Sequence, residues 1–193
     1  NTNVTSVVVE EGVTTIGNSA FNGCTSITSI KIPDSITHLG SWILDGCNNL
    51  QQIQFPSSIK RIPIIAAQGL PALKSLILPV LESLPFEGLG SLPDNAFLGL
   101  DSLNTMVCYS PSVPKTDYDN TLYFPESVST GTLYVPAESV EAYRSADGWQ
   151  KWGTILPIVP VDSFYLEDNE LYFSGYRYYN YVWYLRAKRL NQR

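Results

Sequence analysis

The chain has 193 residues, of which 44% are hydrophobic and 16% charged, and its net charge is −6. A chain of this length and apolar content can bury a core of ordinary size, which excludes a disordered protein. No run of about 18 apolar residues occurs, which excludes a membrane-spanning helix in this sequence. Residues 1–160 carry seven Lys or Arg against fourteen Asp or Glu. Because binding phosphates needs clustered cations, this distribution argues against a nucleic-acid partner.

A 23-residue internal period organises the first half of the chain. It aligns Ile16–Ile36 with Leu39–Ile59, and a third copy follows at Ile62–Pro79. A fourth copy, Ala96–Cys108, fits only after a shift of seven residues, which we place at about 86–92 and expect to form a loop on one rim. A fixed period of about 20 to 50 residues is typical of a solenoid, and solenoids bind partners through extended surfaces.

Each copy predicts the same elements in the same order. In Leu50–Phe55 successive side chains point to opposite faces, as in a strand, and stacked copies predict a parallel sheet with about 4.8 Å between strands. A proline follows each strand and ends its pairing, because it has no N–H to donate. The step Ile36–Gly40 predicts a second short strand on the outer face. Ser41–Gly46 then predicts a single helical turn, which Gly46 ends.

The pattern changes after Cys108. Leu122–Pro125 and Leu133–Pro136 both repeat the strand motif that ends in proline. Ala137–Ala146 predicts a helix, with acidic residues in its first turn and Gly148 beyond its end.

The shared consensus L-x-x-I-x-I-P-x-x-I-x-x-I-G-x-x-x-F-x-G-C, over Asn3 to Ile158, resembles leucine-rich repeats of the BspA-like type. This family is common in surface proteins of host-associated anaerobic bacteria. The resemblance implies an α/β solenoid with a parallel β-sheet on the concave face, short outer strands, helical turns and a C-terminal α/β cap. The solenoid would occupy residues 1–109 and the capping region residues 110–160, where Trp149 and Trp152 would cover the last repeat.

The remaining residues, 161–193, form a tyrosine-rich tail with seven tyrosines between residues 165 and 184. Phe164–Leu166 and Leu171–Phe173 predict a β-hairpin. The tail could pack on the cap, begin a further module, bind a glycan or partner by stacking, or be cloning-derived or out of frame. At the other end, Asn1 falls inside a repeat, so we expect a removed signal peptide or further repeats ahead of it.

The three cysteines fit packing positions. Cys24 and Cys47 occupy a repeat position that later copies fill with leucine, and Cys108 stands in a strand position held elsewhere by Ile, Phe or Leu. We expect buried free thiols that act as small core residues. A Cys24–Cys47 disulfide would be strained, because stacked Cβ atoms lie about 5 Å apart rather than about 3.8 Å.

Residues suited to catalysis or metal binding are scarce. His38 is the only histidine, and its repeat position is filled elsewhere by Thr15, Arg61 and Ser83, which indicates an exposed outer face. Without a second histidine, a catalytic triad would need this residue. Asp117–Asn120 offers carboxylates to calcium but lacks the glycine and the distal glutamate of a calcium loop, so a solvated turn is favoured. We therefore predict no catalytic residue, no metal and no cofactor.

The candidate binding residues are the outward positions of the strands, which should form two ladders on the concave face. The first ladder is Ser6, Ser29, Gln52, Ser75 and Thr105, and the second is Val8, Lys31, Gln54, Ile77 and Val107. Ile77 and Val107 are the most suggestive, because apolar residues on an exposed sheet face need a reason. The alternative is an ordinary solvated face.

These observations favour a non-enzymatic protein–protein interaction or adhesion module of an exported bacterial surface protein. The resemblance implies host extracellular proteins as a partner type. The alternative is a carbohydrate-binding or enzyme-accessory domain that uses the tyrosine-rich tail as its site.

Overall fold

The computed structural model describes residues 4–63, 69–81, 96–115 and 122–158, and the backbone of residues 164–167 and 170–173. The chain divides into two compact units, Asn1–Ile158 and Val159–Arg193. The predicted insertion at 86–92 and the acidic segment Asp117–Asn120 lie outside the described residues.

The first unit contains a seven-stranded parallel sheet. Its strands are β1 (Ser6–Val8), β3 (Ser29–Lys31), β5 (Gln52–Gln54), β6 (Ser75–Leu78), β7 (Thr105–Cys108), β8 (Thr132–Val135) and β9 (Thr154–Pro157), and they lie side by side in this order. In the pairs formed among β1, β3, β5 and β6, each residue lies opposite the equivalent residue of the next repeat. Gln52, for example, lies opposite Ser75. β6 and β7 pair Ser75 with Thr105, which is the predicted register with seven extra residues.

The first unit also contains a separate two-stranded parallel sheet. It pairs β2 (Thr15–Ile16) with β4 (His38–Leu39), so the predicted second short strand is present. The predicted helical turn at Ser41–Gly46 is wrong, because the segment is a run of turns in which Trp42 has φ 56°. A left-handed residue cannot continue a right-handed helix.

The core consists of the inward strand positions and the apolar residues of the returning segments. Ile53 is 2% exposed, and Leu76 and Met106 are fully buried. Cys47 and Cys108 are also fully buried, and all three cysteines are free thiols. Burial raises the pKa of the Cys47 thiol to about 11 and also raises that of Cys108. Cys47 and Cys108 are thus packing residues, as their repeat positions predicted. Cys24 is only half-buried, so the expectation of a buried thiol is wrong for this residue.

Residues 122–158 depart from the prediction in two places. Leu122–Pro125 is not a strand; the Phe124 ring stacks on Phe97 with centroids 4.8 Å apart, so side-chain packing rather than a ladder holds this segment. The unpredicted strand is β9, which pairs with β8. A 3₁₀ turn, Glu126–Thr130, precedes β8, and between β8 and β9 lie two further 3₁₀ turns and one α-helix: Ala137–Ser139, α1 (Val140–Ser145) and Trp149–Lys151. The predicted helix over 137–146 is therefore present.

An aromatic cluster packs residues 122–158 together. It consists of Phe97, Phe124, Tyr143, Trp149 and Trp152. Trp149 meets Tyr143 edge-on at 5.0 Å and Phe124 at 5.2 Å. Both tryptophans are buried, so the aromatic residues after β8 contribute to the same core as the sheet.

The second unit contains an antiparallel hairpin. β10 (Phe164–Glu167) pairs with β11 (Glu170–Phe173), and Phe164 stands opposite Phe173. The predicted hairpin is confirmed.

Candidate binding surface

The outward positions of the seven strands align across the sheet. Starting at one edge, Ser6 pairs with Ser29, and the register continues without a slip. The complete row is Ser6, Ser29, Gln52, Ser75, Thr105, Thr132 and Thr154. Every member carries a hydroxyl or a carboxamide, and none is charged. We call this row the polar ladder.

The second row lies two residues further along each strand and so on the same face. It runs Val8, Lys31, Gln54, Ile77, Val107, Tyr134 and Leu156. Its last four members, Ile77, Val107, Tyr134 and Leu156, form an apolar strip across β6 to β9. Together the two rows make up the ladder face, on which Lys31 is the one charged residue.

The ladder face is more buried than the sequence predicted. Val107 is 2% exposed and Ser75 9%, so the expectation that Val107 is an exposed apolar residue is wrong. Val107 lies between Ile77 and Tyr134 in adjacent strands, at a spacing of about 4.8 Å. These larger side chains flank the valine on both sides. Val8, with a neighbouring strand on one side, is 60% exposed.

The family model for the BspA type leucine rich repeat region matches residues 1–119, in six copies. This chain belongs to the BspA-type leucine-rich repeat family. The match ends before β8, although β8 and β9 continue the sheet in parallel register.

Among solved structures, the chain is similar to a leucine rich cell surface protein from Faecalibacterium prausnitzii A2-165. The two are 22% identical with a TM-score of 0.49, and the alignment covers 81% of this chain and 33% of that one. The chain thus spans about a third of the length of that protein. A comparison with curated proteins finds no match.

Sequence reasoning placed the leucine-rich repeat ladders on five strands and missed the members from β8 and β9. The signal was present, because Leu133–Pro136 repeats the strand motif that ends in proline. The strand residues Thr154–Pro157 carry a version of it that is one residue shorter. The missed residues include Tyr134 and Leu156, which complete the apolar strip.

Gln52 holds an unusual position in the polar ladder. Its Oε1 atom is buried and has no hydrogen-bond partner among the described residues, while Ser29 and Ser75 stand beside it on the neighbouring strands. Leaving a buried acceptor unpaired costs about 1–3 kcal/mol. A partner that brings an N–H or O–H group to this part of the ladder would recover that free energy.

The remaining candidates for chemistry are the histidine and the residue types that bind metal ions. His38 is exposed on β4, and its Nδ1 atom lies 2.9 Å from the Thr37 hydroxyl. Within the described ranges, no group of three or more His, Cys, Asp or Glu is placed to hold a metal ion. No helix in those ranges is long and apolar enough to cross a membrane.

Proposed function

We propose that this chain is a non-enzymatic protein-binding module that uses the ladder face as its contact surface. The observation that carries the proposal is the pairing of a seven-membered uncharged polar ladder with an adjacent apolar strip. The centres of protein interfaces are depleted in charge and enriched in aromatic residues. The ladder face has one charged side chain, Lys31, and one aromatic side chain, Tyr134.

We also infer a solenoid in which each 23-residue repeat stacks on the next, with the ladder face concave and residues 110–160 as the cap. The constant pairing offset of one repeat between the first four strands of the sheet supports the stacking. The cluster members that follow β7, Phe124, Tyr143, Trp149 and Trp152, support the cap, because they add large apolar rings to the core. A terminal cap keeps the last repeat of a solenoid soluble.

We further propose, from its family membership, that the chain is exported and displayed at the bacterial surface. BspA-type repeats are common in surface proteins of host-associated anaerobes, which makes host extracellular proteins the first partners to test. In that role, the chain would adhere to host extracellular proteins through its ladder face.

The test is a binding screen against extracellular-matrix proteins by biolayer interferometry, with Ile77→Glu as the probe. We expect this charge in the apolar strip to weaken binding at least tenfold, since a buried unpaired charge is strongly unfavourable. His38→Glu is the matched control: it adds the same carboxylate on outer strand β4 and should leave the affinity unchanged. Circular dichroism checks that both variants fold.

Equal affinities of Ile77→Glu, Gln52→Arg and the unmodified chain would contradict the ladder-face proposal. A parallel glycan array tests the carbohydrate alternative. Glycan binding that survives Ile77→Glu and is lost on removal of residues 161–193 would favour that alternative.

A further inference from the structure

Backbone hydrogen bonds join the turn at residues 18–23 to the equivalent turn of the next repeat, residues 41–46. Three alternate residues of the first turn, ending at Gly23, donate their N–H groups to carbonyls of the second turn. The Gly23 bond is accepted by the Asp45 carbonyl at 2.7 Å and is the shortest of the three. A Cβ on Gly46 would lie 3.3 Å from the Gly23 nitrogen, so the two backbones approach each other closely here. We call these two turns together the turn stack.

Asn22 and Gly23 are the one Asn–Gly step in the sequence. A glycine has no side chain to shield its backbone nitrogen, so Asn–Gly is the step at which the following nitrogen attacks the Asn carboxamide most readily. This attack begins deamidation, the loss of the side-chain nitrogen as ammonia. Asn22 and Gly23 are both exposed, so solvent reaches the atoms that would react.

Asp45 holds both of the reacting groups of this step. Asn22 Nδ2 donates to Asp45 Oδ2 at 2.9 Å, and Gly23 N–H donates to the Asp45 carbonyl at 2.7 Å. The first bond holds the leaving group. The second keeps the proton on the attacking nitrogen and directs that N–H toward the next repeat, away from the Asn22 side chain. Both bonds therefore have to break before the nitrogen of Gly23 can reach the carboxamide carbon.

We propose that Asn22 is a deamidation site protected by Asp45, which is modified when the turn stack opens and not while it is closed. In the open state the Gly23 nitrogen gives its proton to hydroxide and bonds to Asn22 Cγ. The Cγ–Nδ2 bond breaks, and the nitrogen leaves as ammonia with a proton taken from water. Water then adds to one carbonyl of the resulting succinimide and breaks the bond of that carbonyl to the ring nitrogen, which regains a proton. One water is consumed, one ammonia is released, and the product is aspartate or isoaspartate.

Either product loosens the turn stack. An aspartate in place of Asn22 replaces the donating amide by a carboxylate that faces Asp45, so an attractive contact becomes a repulsion between like charges. An isoaspartate carries the backbone through its side chain and so adds one methylene ahead of Gly23. The longer backbone displaces Gly23 from its bond to Asp45 and from its close approach to Gly46. Once made, the modification therefore favours the open turn stack.

The test incubates the full chain in mildly alkaline buffer and measures deamidation of the Asn22 peptide by mass spectrometry. We expect the folded chain to deamidate more slowly than the same chain in urea, by about tenfold or more, because the closed turn stack blocks the attack. Asp45→Ala removes the side-chain bond and should raise the rate in the folded chain severalfold. Asp34→Ala is the matched control: it removes another carboxylate that accepts from the next repeat, at Ser57, and should leave the rate unchanged.

Asn22→Asp reproduces the aspartate product and tests its effect. Amide hydrogen exchange measured by NMR should speed up at Gly23 by about tenfold or more and stay unchanged at Leu76 in β6. Asn22→Ser, which adds no charge, should change the Gly23 exchange rate less than Asn22→Asp. Equal deamidation rates in the folded and urea-unfolded chain, a comparison that needs no variant, would overturn the proposal. So would an unchanged rate in Asp45→Ala, or an unchanged Gly23 exchange rate in Asn22→Asp.

Discussion

Tyr143→Phe tests how residues 122–158 are attached to the repeats. Tyr143 is fully buried in α1. Its hydroxyl donates to the Ser110 carbonyl at 3.0 Å and lies 3.3 Å from the Cys108 sulfur. Cys108 is the last residue of β7, so this one hydroxyl joins the helix to the end of a repeat strand. The substitution removes only the hydroxyl.

The expected loss of unfolding free energy is about 2 kcal/mol. A typical hydrogen bond contributes about 1 kcal/mol net, and leaving a buried acceptor unpaired costs about 1–3 kcal/mol. The ring keeps its edge-on contact with Trp149 at 5.0 Å, so the buried apolar area does not change. For a chain of this size, about 2 kcal/mol corresponds to a fall in melting temperature of roughly 4–8 °C.

Urea unfolding followed by tryptophan fluorescence measures this loss, and the slope with urea should stay unchanged because the surface exposed on unfolding is the same. Tyr123→Phe is the matched control: Tyr123 is 54% exposed, and its variant should stay within about 0.5 kcal/mol of the unmodified chain. A loss below about 0.5 kcal/mol for Tyr143→Phe would refute the reasoning, since the hydroxyl would then contribute no more than an exposed one.

Three further predictions concern the buried thiols, a close backbone approach and a strained turn. Burial raises the pKa of Cys47 to about 11 and raises that of Cys108. Near pH 10 the unfolded state has lost the Cys47 proton that the folded state keeps, so this thiol alone should make the unfolding free energy fall by about 1.4 kcal/mol per pH unit. The raised pKa of Cys108 acts in the same direction. Gly131→Ala should lower the unfolding free energy by about 1–3 kcal/mol, because the added Cβ would lie 2.5 Å from a backbone oxygen. Ser19→Gly should raise the unfolding free energy by about 0.5–1 kcal/mol. Ser19 has φ 57°, and glycine adopts this conformation without strain.

Each of these predictions has its own control. Stability is fully present below the unfolded thiol pKa of about 8.5 and is lost as the pH rises toward the folded values, so replacing Cys47 and Cys108 by alanine should flatten the alkaline fall. Gly17→Ala places a Cβ that has no heavy atom of the described residues within 4 Å, and it should change the unfolding free energy by less than about 0.5 kcal/mol. Destabilisation by Ser19→Gly would mean that the serine side chain, rather than its backbone conformation, decides stability there.

The repeat sequence by itself determined the strands and their register over the first half of the chain. Ile53 and Leu76 hold equivalent positions in successive repeats, and the structure places them side by side in the core. This information is local, because alternation along a strand and proline after it act within a few residues. The buried thiols and the exposed His38 follow from the same alignment.

Only the tertiary structure decided how far the sheet extends and what its ladder face contains. β9 is a strand because β8 offers it an edge, and its shortened motif gives a weak local signal. Val107 is buried because Ile77 and Tyr134 flank it, and those contacts join residues from different repeats. Trp42 has left-handed backbone where the sequence predicted a helical turn. Burial and the orientation of a turn depend on neighbours from other repeats, which a pattern within one repeat does not contain.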